Sequence, residues 1–410
     1  MNMHTTRARS PRGKTHAFDG RPSFECIALL LQGGGALGAY QGGVYQGLAE
    51  AGLHPDWVAG ISIGAINSAL IAGNPPEERV DKLRGFWNAI TVNPLLVLIA
   101  DERSVPDPLN LWNPAGALFA QQGDLARSLA NRFNASIAAA MGAPGMFAPR
   151  PVHPLWQPAG TLNATSYYDT SILKATLERF VDFDRINAGE TRFSIGAVNV
   201  TTGNFVYFDN TTHAIRPEHV MASGALPPGF PAVEIDGEFY WDGGLVSNTP
   251  LQWVLESDLR QDTLAFQVDL WSAGGGLPRT IGEVATRQKE IQFSSRTRAN
   301  SDQFRRVQKI RNTLAELLSK LPDDLKNTPE YSALRPEADH KVYNLIQLIY
   351  RSKHYEGDSK DYEFSQQSMD EHWRAGYHDT IRTLRHPEVL QRPKSDEGLL
   401  TFDLAMHGRE

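Results

Sequence analysis

Before residue 75 the chain runs twice from a short apolar strand through a tight turn into a helix. Residues 27–31 read as a buried strand, 32–38 as a glycine-rich turn, and the helix that follows reaches about residue 51. Trp57–Ile61 reads as a second strand, turning sharply into a helix of mostly small residues over 63–72. Two strand–turn–helix units in succession predict parallel strands in one sheet covered by helices.

Both turns carry residues suited to chemistry. Gly60-Ile61-Ser62-Ile63-Gly64 has the G-x-S-x-G pattern, which sets a serine on a strained strand-to-helix turn with its hydroxyl exposed. Such a pentapeptide arises by chance in about one chain in ten of this length, so its weight comes from the strand before it and the helix after it. The N-terminus of that helix favours negative charge developing near Ser62. In the first turn, Gly33-Gly34-Gly35-Ala36-Leu37-Gly38 lets backbone N–H groups face an anion. This fits an oxyanion hole or, through Gly33, Gly35 and Gly38, a pyrophosphate cradle. A dinucleotide site needs an acidic residue at the end of the next strand, but Glu50 lies in the first helix and Asp56 precedes the second strand.

A nucleophilic serine needs a base. The 12 histidines are scattered, with no metal-binding pair among them, and no metal or other cofactor is expected. Asp242 ends an expected strand and is followed by Gly243 and Gly244, so its carboxylate can reach a site while the backbone turns away. His213 and His219 read as hydrogen-bonded structural residues.

The remaining sequence organises around these motifs. An uncharged stretch at 135–149 lies within an expected insertion at about 94–160, which reads as a lid, a binding wall or a packed excursion. Residues 193–200 and 204–209 read as a hairpin, 264–270 as a buried strand, and Thr249-Pro250 as the start of a helix. Beyond 276 the chain is charged and largely helical. Phe304, Val307, Ile310, Leu314, Leu317 and Leu321 form one stripe, 342–350 reads as a strand, and Ser368-Met369-Asp370-Glu371 reads as the capping box of a last helix.

The 40 Lys and Arg against 47 Asp and Glu give a net charge of -7, so no global basic field points to nucleic acid. Cys26 is the one cysteine, read as a reduced core thiol. Apolar runs fall short of the ~18 residues that a membrane span needs. Residues 1–22 lack the apolar stretch of a signal peptide and read as a disordered basic arm on a cytoplasmic protein. Arg287, Lys289, Arg296, Arg298, Arg305, Arg306, Lys309 and Arg311 concentrate positive charge at 287–311, either as a solvated helix face or as a contact with an anionic membrane surface.

The glycine loop, the Gly60-to-Gly64 turn and Asp242-Gly243-Gly244, in that order, resemble the patatin-like phospholipases. Ala222-Ser223-Gly224-Ala225-Leu226-Pro227 ahead of Phe230-Pro231 resembles a further block of that family. The region beyond resembles the extension of a bacterial subgroup carrying a domain of unknown function. The resemblance implies a three-layer α/β fold with a mostly parallel central sheet and a largely helical C-terminal extension. It places a hydrolase domain at 23–276, the extension at 277–392 and a flexible tail at 393–410. It makes Ser62 the nucleophile and Asp242 the base of a metal-free Ser-Asp dyad, supported by Gly60, Gly64, Gly243 and Gly244. It gives Gly33, Gly34, Gly35 and Gly38 to the oxyanion hole, with the N–H groups of Gly34 and Gly35 as donors. The implied function is hydrolysis of phospholipid or other lipid carboxylic esters through an acyl-enzyme. Alternatives are an esterase or acyltransferase acting on short or neutral esters, a non-catalytic lipid-binding protein, and a Ser-Asp-His hydrolase using a late histidine such as His378. Many family members have Arg or Lys where this chain has Leu37, a departure that counts against phospholipid as the preferred substrate.

Overall fold

The computed structural model describes residues 20–92, 124–255, 257, 260–294, 297–393 and 398–404. Apart from 20–22, the basic arm expected at 1–22 lies outside the described residues, as does 94–123 of the expected insertion.

The strands are Cys26–Leu31 (β1), Trp57–Ile61 (β2), Ala148–Pro149 (β3), Tyr168–Asp169 (β4), Arg192–Asn199 (β5) and Phe205–Asp209 (β6). They continue as Val233–Ile235 (β7), Glu238–Asp242 (β8), Thr263–Asp269 (β9), Tyr343–Ile349 (β10) and Leu399–Phe402 (β11). The central sheet runs β11-β10-β9-β1-β2-β5-β8-β7, with β6 also on β5. Its pairings from β11 across to β5 are parallel, while β6, β7 and β8 join antiparallel. The fold is thus a mixed, mostly parallel α/β sheet with helices on both faces.

The helices are Ala39–Glu50 (α1), Ile63–Ala72 (α2), Arg79–Ile90 (α3), Asp124–Met141 (α4), Ser171–Phe180 (α5) and Phe183–Ala188 (α6). Pro217–Ser223 (α7), Leu251–Leu255 (α8), Ile281–Phe293 (α9), Thr297–Ser319 (α10), Pro329–Leu334 (α11) and Gln366–Leu384 (α12) follow. The alternation of β1 side chains divides the core. Ile27, Leu29 and Leu31 pack into the larger core with residues of α1, α2, α3 and α12, whereas Cys26, Ala28 and Leu30 face a smaller one with Leu251, Val254 and Phe304. Burial pushes the Cys26 thiol up to about 12, as suits an inert core residue.

The extension is built into this frame. β10 lies between β9 and β11, and α12 crosses α1 in backbone contact. A Cβ on Gly43 would stand 1.8 Å from the Trp373 carbonyl oxygen, and one on Gly376 would stand 2.0 Å from that of Tyr40. Trp373 Nε1 donates to Gln46 Oε1 at 2.7 Å, Tyr377 OH to Glu50 Oε2 at 2.8 Å, and Tyr40 OH to Asp379 Oδ2 at 3.0 Å.

Three expectations need correction. Leu399–Phe402 is not part of a loose tail but a strand on β10, because an open parallel edge there accepts its backbone groups. The cap of α12 is Ser365, whose Oγ accepts from the Ser368 N–H at 3.3 Å, so the cap lies three residues before the expected one. The α10 stripe is buried only in part: Phe304 is inside, but Ile310 and Leu317 are each 58% exposed, while Leu318, outside the expected stripe, is buried.

Candidate active site

Parallel pairing of β1 with β2 sets Leu31 opposite Gly60, so the two turns leave the sheet side by side at its carboxyl edge. After β2, Ser62 adopts φ 56° and ψ -123°, a conformation costly for any residue but glycine. Its flanking glycines leave no room for a side chain. A Cβ on Gly60 would lie 2.2 Å from the Gly64 carbonyl oxygen, and one on Gly64 would lie 2.1 Å from that of Leu31. The Ser62 N–H donates to Ser223 Oγ at 3.0 Å, and buried Ser223 donates in turn to the Gly196 carbonyl at 2.7 Å. The turn is thereby pinned to β5.

Asp242 reaches the same level from the opposite direction. Ile61 pairs with Gly196, and the next residue, Ala197, pairs with Asp242, so antiparallel β8 stops beside Ser62. The Ser62 hydroxyl lies close enough to the Asp242 carboxyl to favour its charged form, and Asp242 Oδ1 accepts from the Gly244 N–H at 2.7 Å. Burial pushes the Asp242 carboxyl up to about 7, against the Ser62 hydroxyl and the Gly244 N–H, which favour its charged form. A carboxylate that titrates near neutrality and touches a hydroxyl is equipped to take its proton. Gly243 packs on the Gly196 carbonyl, and Gly244 lies between Asp242 and Asn248.

In the glycine loop the N–H groups are unequally used. That of Gly33 donates to the Asn248 carbonyl at 3.3 Å, that of Ala36 to the Asp361 carbonyl at 2.8 Å, and that of Leu37 to the Gly34 carbonyl at 3.2 Å. Among the described residues no acceptor takes the N–H of Gly34 or Gly35. Gly33, Gly34 and Gly35 line the cavity that holds Ser62 and Asp242. Gly38 stands apart from them. It is buried against Ile63 and Trp87, and its carbonyl accepts from Asn67 Nδ2 at 3.0 Å, so close packing of α1 on α2 accounts for that glycine.

The cavity has a volume of about 450 Å³, within the range of small-molecule sites. Ile63, Ile66, Phe147, Leu173, Phe230 and Phe364 make its walls largely apolar, with Ser62 and Asp242 among the few polar groups that line it. Ala138, Ala139, Met146 and Phe147 come from the described part of the expected insertion. Phe293, Asp361, Tyr362 and Phe364 come from the extension, a contribution the sequence reading missed. Asn248 and Ser223 were missed as well. Both are buried polar residues, Ser223 inside a block already singled out and Asn248 just before Thr249-Pro250, and their partners are backbone groups that no motif encodes.

Other expected residues fall elsewhere. Among the described residues no histidine lines the cavity. His378 is exposed on α12, and His219 is buried with its pKa pushed down to about 4 by burial and by Arg216. Leu37 is 0% exposed and points into the core, so a basic residue missing there says nothing about a headgroup. In the basic stretch, Arg287 pairs with Glu290 at 3.1 Å and Lys289 with Asp361 at 2.8 Å, while Arg306 and Lys309 face solvent.

Residues 29–254 match the family described as patatin-like phospholipase, and residues 291–396 match a second family described as patatin phospholipase. The chain is similar to lysophospholipase nte1 of Aspergillus terreus, at 44% identity over 66 residues, which is 16% of this chain and 4% of that protein. It thus spans a small fraction of that relative's length. The crystal structure of VipD from Legionella pneumophila superposes with a TM-score of 0.35 and 14% identity, covering 93% of this chain and 72% of VipD.

Proposed function

Since this chain belongs to the patatin-like phospholipase family, we propose that it is a lipid acyl hydrolase working through a dyad of Ser62 and Asp242. The observation that carries this reading is the meeting of Ser62 with the buried Asp242 carboxyl, raised to about 7, in the lining of one largely apolar cavity. Asp242 accepts the Ser62 proton as Oγ attacks the ester carbonyl carbon. The carbonyl oxygen becomes an oxyanion beside the free N–H groups of Gly34 and Gly35. Collapse breaks the ester C–O bond, Asp242 returns the proton to the departing alcohol or lysophospholipid, and the acyl group stays on Ser62. Water, deprotonated by the same carboxylate, then releases the fatty acid.

The acyl chain lies along the apolar walls of the cavity, with the hydrolase unit at 23–276 and the extension from 277 enclosing it. Leu155 and Trp156, 84% and 81% exposed, stand near the rim, because Tyr167 contacts His153 and donates to the Pro228 carbonyl at 3.1 Å. These apolar groups, with Arg306 and Lys309, supply the surface for peripheral contact with an anionic lipid layer. Among the described residues no helix is long and apolar enough to cross a membrane.

The test is hydrolysis of a panel running from short p-nitrophenyl esters to long-chain phospholipid vesicles, by the natural protein and by Ser62→Ala. Serine-dependent release of long fatty acids is the expected outcome. Full activity in Ser62→Ala would sink the reading, and a new ester formed when glycerol is added would make the protein an acyltransferase.

A further inference from the structure

The extension reaches the proposed oxyanion loop through backbone atoms. Asp361 presents its carbonyl to the Ala36 N–H at 2.8 Å. Gly35 sits at φ +55°, and a Cβ there would stand 2.1 Å from that same oxygen. The Asp361 carbonyl therefore rests on the turn that carries the two unused N–H groups. A second contact is made by Phe293 at the end of α9. Its carbonyl accepts from Gln32 Nε2 at 3.1 Å and Asn248 Nδ2 at 2.8 Å, and Asn248 Nδ2 also donates to the Gly33 carbonyl at 3.1 Å.

Reciprocal ion pairs bind these two contacts to each other. Lys289 on α9 donates to both Asp361 carboxylate oxygens at 2.8 and 3.0 Å and to the Asp358 carbonyl at 2.9 Å. One residue along each segment, Lys360 donates back to Glu290 Oε1 at 2.8 Å and to Ser352 Oγ at 2.7 Å. Lys360 is 4% exposed, and a buried charge pair of this kind fixes a geometry more than it adds stability.

We propose that the C-terminal extension positions the oxyanion loop, with Lys289 and Asp361 as the positioning pair that holds the Asp361 carbonyl against Gly35 and Ala36. Three successive glycines have little preference of their own for one backbone conformation, so the loop takes its shape from what it touches. Stabilisation of an oxyanion depends on donors held to a fraction of an ångström. The proposal rests on the dyad reading above and extends it to a segment with no reacting side chain.

The test uses the full chain and a soluble p-nitrophenyl ester, with Lys289→Met, Asp361→Asn, Lys289→Arg, the charge-reversed double variant Lys289→Asp/Asp361→Lys, and Ser62→Ala. Lys289→Met and Asp361→Asn are expected to lose about tenfold or more in kcat with KM within about twofold. Their Tm should stay within about 3 °C of the natural protein. Fluorophosphonate labelling of Ser62 should slow in parallel, and Lys289→Arg and the charge reversal should recover most of the rate. Unchanged kcat in both single variants would overturn the proposal, as would a loss that follows the unfolded fraction or appears in KM alone. If either single variant fails to fold, kcat of the charge reversal decides, since a positioning pair must work in either polarity. Activity in Ser62→Ala would overturn the dyad instead, whereas an inactive Ser62→Ala beside normal Lys289 and Asp361 variants would overturn this proposal alone.

Discussion

Asp242 and Asp209 each close a strand that pairs antiparallel with β5, Asp209 opposite Ser194 and Asp242 opposite Ala197, and each is 2% exposed. Burial acts on both carboxyls in the same direction, upward. At Asp209 it is outweighed. The Ser194 and Thr211 hydroxyls donate to it at 2.6 Å each, the Thr211 N–H at 2.9 Å and Arg192 Nε at 3.0 Å, which hold the carboxyl below its ordinary range. At Asp242 the Ser62 hydroxyl and the Gly244 N–H leave burial ahead, at about 7. Burial alone therefore makes no base. The supply of donors separates a carboxylate fixed as a structural anion from one with capacity for a proton.

Asparagine at both positions tests this contrast most severely. Asp242→Asn should lower kcat/KM by at least about 10³-fold, by analogy with other hydrolases stripped of their base. Asp209→Asn should leave activity per folded molecule within about twofold, measured on protein titrated with fluorophosphonate. Equal losses would erase the distinction.

Stability should move the other way. Asp209→Asn removes a charge that Arg192 and two hydroxyls require, and urea unfolding at pH 8 should register a loss of about 2–4 kcal/mol. Asp242→Asn should gain at that pH, by at most about 4 kcal/mol, because it removes a carboxylate ionised against its surroundings. The signs follow from the two shifts. The raised Asp242 carboxyl favours the folded state below the ordinary carboxylate pKa and loses that contribution as pH rises through about 7. The lowered Asp209 carboxyl contributes above the ordinary value and loses its contribution as pH falls through its folded pKa. A smaller effect sharpens the picture: kcat/KM should rise with unit slope below about pH 7 and then level off. A flat profile from pH 5 to 8 would remove Asp242 from the role of base.

How far the sequence could be read follows the same physical lines. Ser62, Asp242 and the glycines at 33–35 could be singled out because the proposed nucleophile, base and N–H donors each demand a residue type at a strand end, and the structure brings all of them to one cavity. β2 was expected where it occurs, and β10 within one residue of its ends, since continuous apolar runs announce buried strands. Gly38 misled because helix packing and anion binding select the same residue. Leu37 misled because a motif position does not show which way its side chain faces, and this one packs into the core rather than toward the cavity. Asp361 and Phe293 left no trace, since they touch the loop with carbonyl groups that any residue carries. β11 was missed because its four residues are ordinary for a tail until an open edge at β10 gives them partners.

The backbone contact of Gly43 with α12 also sets an order of events in synthesis. α1 leaves the ribosome more than 300 residues before the helix that covers it. At ~5–20 residues per second, its apolar face waits on the order of 15–70 s for that partner. β9 likewise stands as an open edge until β10 has been made. A pause in translation between residues 275 and 340 would prolong both exposures together, and there this chain depends most on the chaperones around it.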